Sequence, residues 1–130
     1  MAHEPIISLG SEQPRAERKQ FAADGQSFSI HEWRGSGPGY LHVHHADDEA
    51  WQVLEGTVRF RFADREIEAG AGSTVFVPAG VPHTYTTDGS GRYLIILPPR
   101  LRDMIAELQR TPDLKQHAAV MRRYQSEVLE

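Results

Sequence analysis

The segment AWQVLEGTVRFRF, residues 50–62, reads as two β-strands meeting at a glycine. Along TVRFRF (57–62), Val58, Phe60 and Phe62 share one face, while Thr57, Arg59 and Arg61 share the other. That alternation is the period of a strand with one face buried and one solvated. Gly56 stands at the bend, so 50–55 and 57–62 are expected to pair as a hairpin.

Outward from this segment, further short strands are expected at 28–33 (FSIHEW), 41–45 (LHVHH), 65–69 (REIEA), 74–78 (TVFVP), 83–87 (HTYTT) and 91–97 (GRYLIIL). Glycine, proline and Asp-Gly turn signals separate them, which indicates a sandwich or a barrel. After Pro98 and Pro99 the period changes. Leu101, Met104, Ile105 and Leu108 predict a helix over 100–110. Leu114, Ala118, Met121, Tyr124 or Gln125, and Val128 predict a second over 113–128, with Thr111 as N-cap and Pro112 at its first position. The chain therefore divides into an N-terminal arm (1–20), a strand-rich body (21–99) and a helical tail (100–130) packed on that body or on a partner.

At 130 residues the chain is the size of one domain, and 39% hydrophobic with 25% charged residues is ordinary globular usage. Its apolar runs are far shorter than the roughly 20 residues of a membrane-spanning helix, and the N-terminus lacks a secretory apolar region, so a cytoplasmic protein with no membrane partner is expected. A net charge of −4 without a basic face argues against nucleic acid as a partner. Without cysteine, any metal site must use nitrogen and oxygen ligands.

Three of the seven histidines fall within LHVHHADDE (41–49). His42 and His44, two apart on a strand, leave the same face roughly 6.5–7 Å apart, while His45 points away. Glu49 opens the next strand, and an antiparallel return would bring its carboxylate to the same side. His83 follows VPAGVP (77–82), where Pro78 and Pro82 fix φ and Gly80 allows a sharp turn. An HxH pair alone recurs by chance, and a lone histidine is more often a surface or packed residue. Together, His42, His44, Glu49 and His83 point to one divalent transition-metal ion. Two other HxH readings fit worse: a metallo-hydrolase HxHxDH run would need Asp where Ala46 stands, and a TIM barrel needs roughly 200–250 residues.

These residues carry a resemblance to the cupins. HVHHADDEAWQVLEG (42–56) resembles the first cupin motif, with His42, His44, Glu49 and Gly56; GSTVFVPAGVPHTYT (72–86) resembles the second, with Gly72, Pro78, Gly80 and His83. The opening glycine of the first motif is displaced, with Ser36 at its place and Gly37 and Gly39 beside it, and Thr87 replaces the Asn that usually closes the second. The resemblance implies an all-β double-stranded β-helix, a jelly-roll barrel with C-terminal α-helices, holding a metal at its mouth, and it favours a homodimer. A set of three histidines and one glutamate leaves one or two positions open on an octahedral ion, which suits Fe, Mn, Ni or Co, although affinity alone favours Cu or Zn. Similarity to quercetinase-type dioxygenases implies a small oxygen-chelating substrate, enolic or flavonol-like, with Glu49 as a catalytic base. Cupins with the same ligands also isomerise, decarboxylate or simply bind small molecules, which is the alternative.

Trp51, Phe60, Phe76, Val77, Tyr85 and Ile95 read as core, and Arg59 and Arg61 as solvated strand faces. His31 and Trp33, on one face with Ser29, read as packing, with a place in the barrel lumen as the alternative; His3, His45 and His117 read as surface residues or, at most, supports behind the ligands.

Overall fold

The computed structural model describes residues 4–10 and 19–130. Residues 1–3 and 11–18, most of the segment read as an N-terminal arm, lie outside the described residues, as does His3. Ten strands run through the described chain: β1 (Ala22–Asp24), β2 (Ser29–Trp33), β3 (His42–His44), β4 (Glu49–Glu55), β5 (Thr57–Phe62), β6 (Glu66–Gly70), β7 (Thr74–Val77), β8 (His83–Thr87), β9 (Arg92–Leu97) and β10 (Ser126–Val128). They form two antiparallel five-stranded sheets, ordered β1-β2-β9-β4-β7 and β10-β3-β8-β5-β6. This is the expected jelly roll, as two facing sheets rather than a closed barrel.

The strands expected from periodicity are present, but two expected pairings are not. β4 and β5 do not form a hairpin: β4 pairs with β7 and β9, and β5 with β6 and β8, in the other sheet. Gly56 adopts φ 65 and carries the chain across the sandwich, its α-carbon so close to Ser90 that a Cβ would lie 2.2 Å from the Ser90 carbonyl oxygen. Only a glycine fits that turn. β3 and β4 likewise lie in opposite sheets, so Glu49 faces His42 and His44 across the gap instead of beside them.

Between the sheets, alternation fills the core. Val58 and Phe60 of β5 are fully buried, and Phe60 stands opposite Tyr85 of β8. Trp51 of β4, also fully buried, packs edge-on against Phe60 and Tyr85 at 5.1 and 5.4 Å between centroids. Arg59 and Arg61, on the opposite face of β5, pair with Glu68 and Glu130. Phe76 does not belong to this core. Val75 and Val77 point inward from β7, leaving Phe76 62% exposed on the outer face.

The first helix, α1 (Pro99–Gln109), starts with proline at its first position, where the missing N–H costs nothing. The second predicted helix is overturned. The Asp113 carboxylate, not Thr111, caps a 3-10 turn over Leu114–Gln116, and α2 spans only His117–Arg123. Gln125 then takes φ 54 and reverses the chain into β10, which pairs along all of β3 in the register His42↔Val128, Val43↔Glu127 and His44↔Ser126. Leu114, predicted to lie on the buried face, is 65% exposed. Among the described residues, no helix is long and apolar enough to cross a membrane.

Candidate metal centre

His42 and His44 project from β3 between the sheets, and His83, first residue of β8, stands directly opposite His42 in the ladder. The turn before His83 is tied back to β3, because Gly80 N–H donates to the His44 carbonyl at 2.8 Å. Glu49 reaches the three rings from the facing sheet. The four candidate donor atoms lie within 4.8 Å of one another, and all four side chains are buried, none more than 5% exposed.

Each ring is anchored through Nδ1. His42 Nδ1 lies 3.2 Å from the Tyr40 carbonyl, His83 Nδ1 2.9 Å from the Val81 carbonyl and His44 Nδ1 2.7 Å from Ser126 Oγ. Carbonyls only accept, so His42 and His83 carry their proton on Nδ1. Ser126 Oγ–H donates to the Tyr124 carbonyl at 3.1 Å, which leaves it to accept from His44. All three rings thus turn Nε2 inward, the atom through which a metal would be bound.

Glu49 Oε1 lies 2.8 Å from His83 Nε2 and 3.0 Å from His44 Nε2. A carboxylate and imidazole lone pairs at that separation need a positive charge between them, a proton or a cation. Without metal, burial disfavours charge on His83, but the Glu49 hydrogen bond and charge outweigh it and hold its pKa above the ordinary value. Burial likewise disfavours the Glu49 anion, but hydrogen bonds from His44 and His83 prevail and keep it ionised. His42 is pushed down to about 3, by burial and then by its two histidine neighbours. Three neutral nitrogen donors, one carboxylate and no thiolate fit a divalent transition ion.

This cluster forms the buried end of a cavity of about 510 Å³, walled by Trp33, Ile95, Met104, Ile105, Leu108 and Met121. The helices therefore close the cavity as well as packing on the sheets. Tyr85 and Tyr93 also line it, with Tyr93 Oη 2.6 Å from the Gly35 carbonyl and 3.0 Å from Tyr85 Oη. Burial raises the pKa of both phenols, Tyr93 to about 12.

The Cupin domain family matches residues 22–97, more than half of the chain. The chain belongs to the cupin family. Its fold is shared by a cupin-2 domain containing protein from Shewanella frigidimarina (26% identity, 62% of this chain and 79% of that one, TM-score 0.52). A cupin protein from Bacteroides fragilis is similar at 16% identity (75% and 86%, TM-score 0.57), and a Neisseria meningitidis protein at 21% (71% and 99%, TM-score 0.54). No curated protein matches the sequence. Of the two glycines beside the displaced first-motif position, Gly37 lies where a Cβ would come 2.8 Å from the Tyr85 ring, while Gly39 has open space.

The structure thus brings together all four residues singled out from sequence. His45 is exposed and pairs with Glu127, as expected of a residue pointing away. His31 pairs with Asp24 and packs edge-on against Trp33, whereas Trp33 also lines the cavity. His117 is neither a surface residue nor a direct support. It is buried, lines the cavity, and joins Tyr40 Oη and the Thr111 carbonyl at 2.7 Å each, bracing the residue whose carbonyl holds His42. Sequence reading missed Ser126, because its role depends on a strand pairing 82 residues distant from His44.

Proposed function

We propose that this cupin is a metal-dependent dioxygenase acting on a small, oxygen-chelating substrate of enolic or flavonol-like type, with His42, His44, Glu49 and His83 as metal ligands. The observation that carries this reading is the buried three-histidine, one-glutamate cluster at the end of an apolar-walled cavity. A divalent transition ion bound there would supply Lewis acidity and an open position for substrate or O2. Glu49, ionised and aimed at the cluster, is placed to accept the proton that an enol or phenol loses on chelation. Trp33, Ile95, Met104 and Leu108 would hold a flat apolar body and exclude water. Among the described residues Arg34 is the only lysine or arginine lining this wall, which suits a substrate without a phosphate.

The test is metal analysis of the protein purified without added metal, beside His83→Ala, followed by O2 uptake with flavonols and other enolic compounds. About one equivalent of metal, lost in the variant, with substrate-dependent uptake is expected. Stoichiometric metal without uptake would refute the oxygenase step and leave an isomerase, decarboxylase or binding protein. Absence of metal under every loading condition would refute the whole reading.

We also propose a homodimer formed through the outer face carrying Phe28 and Phe76, which are 55% and 62% exposed and border one shallow groove. A monomer in sedimentation at micromolar concentration would refute it.

A further inference from the structure

The loop following β2 does more than close one side of the cavity. Four consecutive residues are fixed to β8 and β9, which belong to opposite sheets. The Arg34 carbonyl accepts from Thr87 Oγ1 at 3.1 Å, the Gly35 carbonyl from Tyr93 Oη at 2.6 Å, and Ser36 Oγ from Thr87 N–H at 2.9 Å; Gly37 N–H donates to the Tyr85 carbonyl at 3.0 Å. The loop is thus a rigid mount.

The mount carries Arg34, an exposed residue that lines the cavity, whereas the His42–His44–Glu49–His83 cluster lining the same cavity is buried. Among the described residues Arg34 has no ion-pair partner, unlike Arg59, Arg61, Arg92, Arg100, Arg102 and Arg123; Arg65, Arg110 and Arg122 also lack one but do not line the cavity. Among the described residues the one acidic residue lining the cavity is Glu49, already engaged by two histidines. An unpaired guanidinium on a rigid base, exposed beside an apolar-walled cavity, offers a planar fork for a carboxylate.

We propose that the cavity takes an amphipathic acid, with an oxygen-chelating head at the His42–His44–Glu49–His83 cluster, an apolar body along the wall and a carboxylate held by Arg34. This rests on the chelation reading above and adds the charge and polarity of the substrate's far end.

The test uses the full chain loaded with one equivalent of Co(II). Its probes are 3,4-dihydroxybenzoate, 3,4-dihydroxyphenylacetate and 3,4-dihydroxyphenylpropionate, each beside its methyl ester, which keeps head and body but removes the charge. Binding is read by calorimetry and by the Co(II) visible spectrum. At the chain length that spans the cavity, the acid is expected to bind about three- to tenfold more tightly than its ester, the yield of one charge-assisted contact at a half-open mouth. Arg34→Gln removes that preference, and Arg34→Lys retains part of it. Equal affinity of acid and ester at every length, or a preference that survives Arg34→Gln, overturns the Arg34 assignment while leaving chelation standing. If neither series perturbs the spectrum of the loaded protein, the chelation reading fails and takes this inference with it.

Discussion

Replacing Ser126 with alanine should weaken metal binding without touching a ligand. Ser126 is 2% exposed and its Oγ lies 2.7 Å from His44 Nδ1, so alanine leaves a buried N–H with no acceptor and room for the ring to turn. Stranding such a donor costs about 1–3 kcal/mol. At about 1.4 kcal/mol per factor of ten, that is a loss of roughly 5- to 150-fold in affinity if the cost falls on the ligating orientation. Losses of about 10- to 100-fold are usual for the partners that orient metal-bound histidines. The assay is a competition titration of Zn(II) or Co(II) against a chromophoric chelator, with urea unfolding of the metal-free protein run in parallel. Ser126→Thr, which keeps the hydroxyl, should recover most of the affinity. If Ser126→Ala binds metal within threefold of the parent, the hydroxyl does not position His44 and the argument from tautomers is wrong.

Further expectations concern stability. In chelator-treated protein, His42 has a folded-state pKa of about 3 against an ordinary 6.5, so the unfolded chain takes up a proton there that the folded chain refuses. Its contribution is therefore complete above pH 6.5 and is lost as the pH falls toward 3; Glu49 acts in the same direction below 4.5, while the raised His83 opposes both by stabilising below 6.5. Urea midpoints should accordingly fall on acidification, more steeply in the parent than in His42→Gln, and equal slopes would exclude His42 as the cause. Adding metal to 100 times its dissociation constant should stabilise the fold by about 2.7 kcal/mol, seen as a rise in melting temperature that His83→Ala lacks. Phe60→Ala, at a fully buried site between Trp51 and Tyr85, should cost about 3–5 kcal/mol in denaturant unfolding, and a loss under 1 kcal/mol would contradict the packing. Gly56→Ala should cost at least about 1–2 kcal/mol for its left-handed backbone alone, and more for the clash with Ser90.

Strand identity was legible because period two is a local property, plain in TVRFRF and sufficient to place His42 beside His44. Pairing was not, because alternation says which face a residue occupies and not which strand lies next to it. Hence the 50–62 segment gave two correct strands and an incorrect hairpin. The four-residue cluster survived that error: Glu49 meets the histidines from the opposite sheet, and a residue pointing into the gap of a sandwich reaches the same point from either side. Phe76 was misplaced for a related reason, since FV in β7 reads as an apolar run although only Val77 points inward. The tail was misread because Ala118 and Met121 carry a true helical period, and a 3.6-residue pattern extrapolates across Gln125 with no glycine or proline to stop it. His117, Ser126 and Arg34 had no signal at all, since each acquires its place from contacts distant in sequence.

The pairing of β10 with β3 also sets a timetable. The ribosome delivers His44 82 residues ahead of Ser126, an interval of roughly 4 to 16 s at ordinary synthesis rates. Throughout that interval the His44 ring has no Ser126 hydroxyl to fix its Nδ1. That anchor arises only when β10 docks on β3. A chain broken before Ser126 would therefore present the His42–His44 pair with one ring unanchored.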